Sequence, residues 1–172
     1  QEMKVSTPPG DRRWVLAGVY DNPLVREACK QRGISVSHDD PGAEGYVLDV
    51  DERGVVVAGS DMQGAFYGLQ SLRQLLSVEG EKKLRVRGVQ VRDWPLKPFR
   101  GLRLYLPGHQ SMPFFRRFIS DFASFFKYNK LVVEVNGAMR LDRHPELNAG
   151  WYEMAKNLVY TRRDRPEGPN RS

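Results

Sequence analysis

The period of apolar and polar positions changes several times along the chain. WVLAGVY, residues 14–20, is an apolar run rich in β-formers. NPLVREACKQRG follows and sets Leu24, Val25 and Ala28 on one helical stripe. Asn22 suits the N-cap, Pro23 the first turn and Gly33 the stop. Tyr46, Leu48 and Val50 then alternate with Val47 and Asp49. The turn Asp51–Gly54 follows, and Val55 to Ala58 return, which predicts a hairpin. From Asp61, a second cap, Ala65, Phe66, Leu69, Leu72, Leu75 and Leu76 share one helical face. LRVRGVQVRDWP reads as one more strand. Residues 13–92 therefore predict β-α-β-β-α-β: a small sheet with helices on one face, an α/β sandwich. Gly64 and Gly68 lie inside the second helix, where each glycine costs about 1 kcal/mol relative to alanine. Close approach of that helix to the sheet is the expected reason.

At DWPLKPFR the prolines break the chain, and the pattern changes after them. RGLRLYL, residues 100–106, is a strand ended by Pro107-Gly108. MPFFRRFISDFASFFKYN is a helix with Phe114, Phe115, Phe118, Ile119, Phe122 and Phe126 on one stripe. KLVVEVN, residues 130–136, reads as a buried strand. This strand–helix–strand unit should be a parallel crossover. A further helix is expected from about Pro145 to Tyr160, and the ends, residues 1–12 and RPEGPNRS, are polar. One such unit cannot close its own sheet, and a (β/α)8 barrel takes about 250 residues. The second half is expected to be the opening of a barrel whose remainder lies elsewhere.

Composition narrows the classes. The 172 residues are 40% hydrophobic and 28% charged, an ordinary globular balance. No apolar run is long enough to span a membrane. The net charge of +6 arises in residues 82–103, where eight Lys or Arg face one acid, Asp93. These cations alternate with Val, Leu and Gly, and no nucleic-acid motif or stacking set accompanies them, so a solvated strand face is expected and no nucleic-acid partner. Cys29 is alone, so no internal disulfide forms; in its helical pattern it reads as a small packed residue.

Candidate chemistry is sparse. Asp51-Glu52 is the one Asp-Glu dipeptide and falls in a hairpin turn, so it is rejected as catalytic. Glu134 and Asn136 alternate to one face at the end of the second barrel strand, where functional side chains gather. A site role for Glu134 and a salt bridge to Arg100 or Arg140 stand as alternatives. His38, His109 and His144 have no metal-binding spacing, and His144 fits a loop before a helix. Trp151 reads as a core or lid aromatic. No metal or cofactor is expected.

Three stretches together carry a family resemblance. AEGYVLDVDERGVVVAGSDMQGAFYGLQSLRQLL, residues 43–76, resembles the domain before the catalytic barrel in glycoside hydrolase family 20, the β-N-acetylhexosaminidases. RDWPLKPFRGLRLYL is similar to that family's join and first barrel strand, and FFKYNKLVVEVNG to its first helix end and second strand. The resemblance implies a leader over 1–12, an accessory α/β domain over 13–95 and the start of a TIM-type barrel over 96–172. It implies removal of N-acetylhexosamine from glycans with retention, the substrate's acetamido oxygen acting as nucleophile. The family's Asp-Glu pair lies on a later barrel strand, outside this chain. Arg100 matches the arginine that binds hydroxyls of the non-reducing sugar; its alternative is a carboxylate pair tying the domains together. The implied partners are a glycan and the rest of the barrel. LYLPGHQ and VEVNGAMRLDRHPELN depart from the family pattern, as in a divergent bacterial branch. A chain that opens on Gln1 and not Met is expected to be processed or trimmed. The expected location is secreted or periplasmic. The other readings are a non-catalytic glycan-binding or scaffold module, and a family 84 or 67 type glycosidase sharing the leading domain.

Overall fold

In the computed structural model the described residues are 13–80, 83–107, 109–134 and 141–148. They group into two compact units: residues up to 100 together with 114–129, and residues 101–113 together with those from 130 onward.

The first unit is built on a four-stranded sheet. Its strands are β1 (Trp14–Val19), β2 (Tyr46–Asp51), β3 (Gly54–Gly59) and β6 (Val89–Asp93), in the order β1-β3-β2-β6. β1 runs parallel to β3; β2 is antiparallel to both β3 and β6. Helices α1 (Pro23–Gln31) and α2 (Met62–Leu75) begin where the sequence places their caps, with Asn22 accepting from Leu24 N and Asp61 from Gly64 N.

The helices do not share a face. Val25, Ala28 and Cys29 of α1 pack with Val56 and Ala58, whereas Tyr67 and Leu72 of α2 pack with Val55, Val57, Leu48 and Tyr46. Alternate strand residues point to opposite sides, so the sheet is covered on both, which corrects the one-face expectation. The sequence held the sign of it. GVVVAG is apolar at successive positions and every residue of β3 is buried, the mark of a strand with no solvated side.

Residues 84–93 are not one strand. β5 (Lys83–Arg85) pairs with β4 (Ser77–Glu79) in a separate hairpin, and β6 begins only at Val89. Gly68 lacks a side chain for the expected reason, since a Cβ there would stand 2.4 Å from Val57 Cγ1. Gly64 serves a different neighbour: its Cβ would stand 2.0 Å from the carbonyl oxygen of Gly45, in the loop before β2.

Helix α3 (Met112–Arg117) is α-helical, then widens into a π-helix over Phe118–Ala123. The widening shows in Ser124 N donating to Ile119 O, five residues back. Phe118 stacks on Phe122 with ring centres 5.0 Å apart, and Phe114, Phe122 and Phe126 stay exposed.

In the second unit β7 (Gly101–Tyr105) runs parallel to β8 (Lys130–Glu134), Gly101 opposite Lys130 and Tyr105 opposite Glu134. β8 is not the buried strand its valines predict: Leu131, Val132 and Val133 are exposed. These two strands form a sheet of their own among the described residues. Of the expected helix from Pro145, only the 3-10 turn Pro145–Leu147 lies within them; Trp151 lies outside.

Candidate functional site

The densest polar cluster forms around Arg100, in the first unit. Its Nε donates to Lys127 O at 2.9 Å, its Nη1 to Lys97 O at 2.8 Å, and its Nη2 to Glu44 Oε2. The guanidinium lies 5.2 Å from the centre of the Tyr67 ring, in cation–π range. Asn129 closes the cluster. Its Oδ1 accepts from Arg100 N at 2.9 Å and its Nδ2 donates to Glu44 Oε1 at 3.1 Å. Arg100 thus forms the carboxylate pair, with Glu44. A guanidinium has five N–H donors, so at most two are left for a ligand.

A second network adjoins it. The Tyr46 hydroxyl donates to Asp93 Oδ2 at 2.8 Å, lies 2.6 Å from Ser71 Oγ, and accepts from Lys127 Nζ at 2.8 Å. Lys127 Nζ also reaches Asp93 Oδ2 at 3.1 Å. Burial pushes the Asp93 carboxyl up, but hydrogen bonds from Tyr46 and Lys127 outweigh it and hold its pKa below the usual aspartate value. Burial lowers Lys127, and the bonds to Tyr46 and Asp93 more than reverse that, leaving its pKa raised. Burial raises Tyr46 and keeps the phenol protonated. Glu44, Tyr46, Tyr67, Asp93, Arg100 and Lys127, with Trp94, Pro95 and Phe126, line a cavity of about 190 Å³. Drug-sized ligand pockets run to roughly 300–1,000 Å³. The cavity therefore fits one wall of a binding site and not a complete one.

Glu134, in the second unit, receives Nε and Nη2 of Arg103 from the neighbouring strand, the former at 2.8 Å. Its described partner is Arg103, a pairing the sequence reading did not consider. Asn136 lies outside the described residues, as does Arg140. Asp51 accepts from Arg53 N at 2.9 Å and Gly54 N at 3.2 Å, as befits a turn residue. His144 Nδ1 lies 3.2 Å from Glu146 Oε1, in the turn at Pro145. Among the described residues no group of three or more His, Cys, Asp or Glu could hold a metal ion. No described helix is long and apolar enough to cross a membrane.

Glu44, Lys127 and Asn129 were not singled out from the sequence. Lys127 falls inside the helix that the sequence predicts over 112–129, and its left-handed backbone is seen only in the structure.

The known proteins to which the chain is similar are glycoside hydrolases. Residues 6–94 match the model described as "Glycosyl hydrolase family 20, domain 2", just over half of the chain, and the chain belongs to that family. A β-hexosaminidase of Porphyromonas gingivalis is 38% identical over 94 residues, covering 51% of this chain and 12% of its own length. A β-hexosaminidase of Vibrio vulnificus is 35% identical over 86 residues, covering 49% of this chain and 10% of its own. Among solved structures, a glycoside hydrolase family 20 β-N-acetylglucosaminidase superposes with a TM-score of 0.51 at 34% identity, covering 62% of this chain and 23% of that one. The chain thus spans about a tenth of the length of these curated relatives.

Proposed function

We propose that this chain is the N-terminal part of a secreted or periplasmic glycosidase that removes N-acetylhexosamine residues from glycans. In this reading residues 13–95 are the accessory α/β domain, and residues 96 onward open a (β/α)8 barrel with β7, α3 and β8. The mechanism is retaining and substrate-assisted. The acetamido oxygen of the sugar attacks its own anomeric carbon, while an Asp-Glu pair outside this chain orients the acetamido group and protonates the leaving oxygen.

The match of residues 6–94 to the family's domain 2 carries the proposal. Two further features support it. Asp51, of the Asp-Glu dipeptide in this chain, is bonded into a hairpin turn, which supports a reading in which the acids are supplied from elsewhere. Parallel strands joined through a helix are what a barrel repeats. Arg100 contributes to the sugar site through the N–H groups its protein partners leave over. Glu134, the last residue of β8, contributes from the end at which barrel sites are built; Asn136, two positions on in the sequence, is assigned to the same site.

The test compares two polypeptides on a chromogenic N-acetyl-β-glucosaminide: the 172-residue chain, and the same chain extended through a complete barrel. Turnover is expected from the longer one only. Turnover by the short chain would show that the acids lie within it. Glycan binding without turnover by the longer one would favour a non-catalytic module.

A further inference from the structure

Two non-glycine residues with left-handed backbone occur among the described residues, Glu44 at φ 60 and Lys127 at φ 59. Both bond the same side chain. Glu44 offers Arg100 its carboxylate and Lys127 its main-chain carbonyl. Left-handed backbone is disfavoured for a residue with a Cβ, and where it persists the surroundings hold it.

Those surroundings can be traced on each side. Asp61, the cap of α2, accepts from Gly64 N with one oxygen and from Glu44 N at 2.8 Å with the other. Gly45 N donates to Gly42 O, and Ser60 N to Gly45 O. The loop can lie this close to α2 because Gly64 has no Cβ. On the other side Lys127 N donates to Ser124 O and Tyr128 N to Ala123 O. That is the Schellman pattern, with Lys127 where glycine is usual. The lysine side chain is held too, by Tyr46 and Asp93.

We propose that Glu44 and Lys127 are positioning residues whose left-handed backbones preset the guanidinium of Arg100 from two sides. The inference rests on the reading of Arg100 as a ligand for sugar hydroxyls. It gives the accessory domain a part in that site: Glu44 belongs to the loop before β2, so the sheet and α2 fix the direction in which Arg100 presents its remaining N–H groups. A guanidinium free to turn would bind hydroxyls less well, because immobilising it would oppose binding.

Four variants, made in the polypeptide that carries a complete barrel, test this: Glu44→Gln, Lys127→Val, Lys127→Asn and Arg100→Ala. Valine resists left-handed backbone and asparagine tolerates it, while both lose the ammonium group. Glu44→Gln and Lys127→Val should each raise KM about tenfold with kcat changed less than about twofold, the size of one lost charged hydrogen bond. Lys127→Asn should raise it by less. In the 172-residue chain, the Arg100 Nε–H signal should exchange slowly with solvent in wild type and Lys127→Asn, and fast in Lys127→Val. Equal behaviour of the two Lys127 variants in both measurements would overturn the proposal, as would a Glu44→Gln variant with unchanged KM. Unchanged KM in Arg100→Ala would instead remove Arg100 from the sugar site, leaving the exchange measurement to decide whether Lys127 holds it.

Discussion

Lys127 Nζ lies 2.8 Å from the hydroxyl of Tyr46 and 4.9 Å from the centre of its ring, so one ammonium group meets both the polar tip and the face of a buried tyrosine. Tyr46 is 2% exposed and its hydroxyl has three partners, Lys127, Asp93 and Ser71. Tyr46→Phe keeps the ring and takes the hydroxyl from the buried Ser71, while Lys127 and Asp93 keep each other. An unmet buried partner costs about 1–3 kcal/mol. The first unit should lose that much, read as a lower urea midpoint at constant m-value. A loss below about 0.5 kcal/mol would mean that water replaces the hydroxyl without penalty.

The same network sets a pH dependence. The folded pKa of Asp93 is below its ordinary 3.8, so its contribution is complete above that value and is lost as pH falls through the lower, folded one. The folded pKa of Lys127 is above its ordinary 10.5, so its contribution is complete below that value and is lost as pH rises through the higher one. Melting temperature should therefore stay flat across neutral pH and fall at both extremes. Asp93→Asn should flatten the acid limb, and equal acid limbs in wild type and variant would assign the loss to other carboxylates such as Asp51, which is also depressed.

The caps, the hairpin and both helices of the first unit were legible because each depends on neighbours in sequence: Asn22 before Pro23, Asp61 before Gly64, Asp51 at the turn. Which side of the sheet each helix covers was misread, because helical stripes show that a face is buried and not against which side of a strand. The unbroken valines of β3 carried that information. The site was least legible. Glu44 and Asn129 meet at 3.1 Å across 85 positions of chain, and no local pattern reports such a pairing. Arg100 was found by resemblance alone; its partners required coordinates.

Gly68→Ala sets two effects against each other. Alanine gains about 1 kcal/mol of helix propensity, but the new methyl would stand 2.4 Å from Val57 Cγ1 and 2.9 Å from Tyr46 Cδ2. Overpacking of this kind costs about 1–3 kcal/mol. The clash should win, giving a net loss near 1 kcal/mol and a shifted Tyr46 ring in the NMR spectrum. A stabilised variant would show that α2 can withdraw from the sheet freely.

Arg32 is the buried cation of the other sheet face. Its side chain is 3% exposed, Nη1 donates to Asp49 Oδ2 at 2.7 Å, and the guanidinium lies 5.2 Å from the Trp14 ring. Nη2 stands 3.1 Å from Asp51 Oδ1, an ion pair that lacks hydrogen-bond geometry. Arg32→Met would leave Asp49 uncompensated, which costs about 3–5 kcal/mol. Arg32→Met with Asp49→Val should recover most of that, since an apolar pair of similar volume is often as stable as a buried ion pair. A double variant no better than the single one would place the stabilisation in the Trp14 contact instead.

The phenylalanine ladder Phe114–Phe118–Phe122–Phe126 stacks at ring-centre distances of 6.5, 5.0 and 5.0 Å, with Phe114, Phe122 and Phe126 all at least 40% exposed. If the rest of a barrel covers this stripe, its energetics must depend on how much of the polypeptide is present. In the 172-residue chain, Phe122→Ser should cost only about 1–2 kcal/mol, because the ring is already 40% exposed. In the polypeptide carrying a complete barrel the same change should cost about 3–5 kcal/mol, the usual loss for a buried phenylalanine. Parallel thermal melts of the four proteins measure the difference. Equal, small losses in both lengths would mean that the ladder faces solvent in the longer protein as well, and the barrel would then have to be built without it.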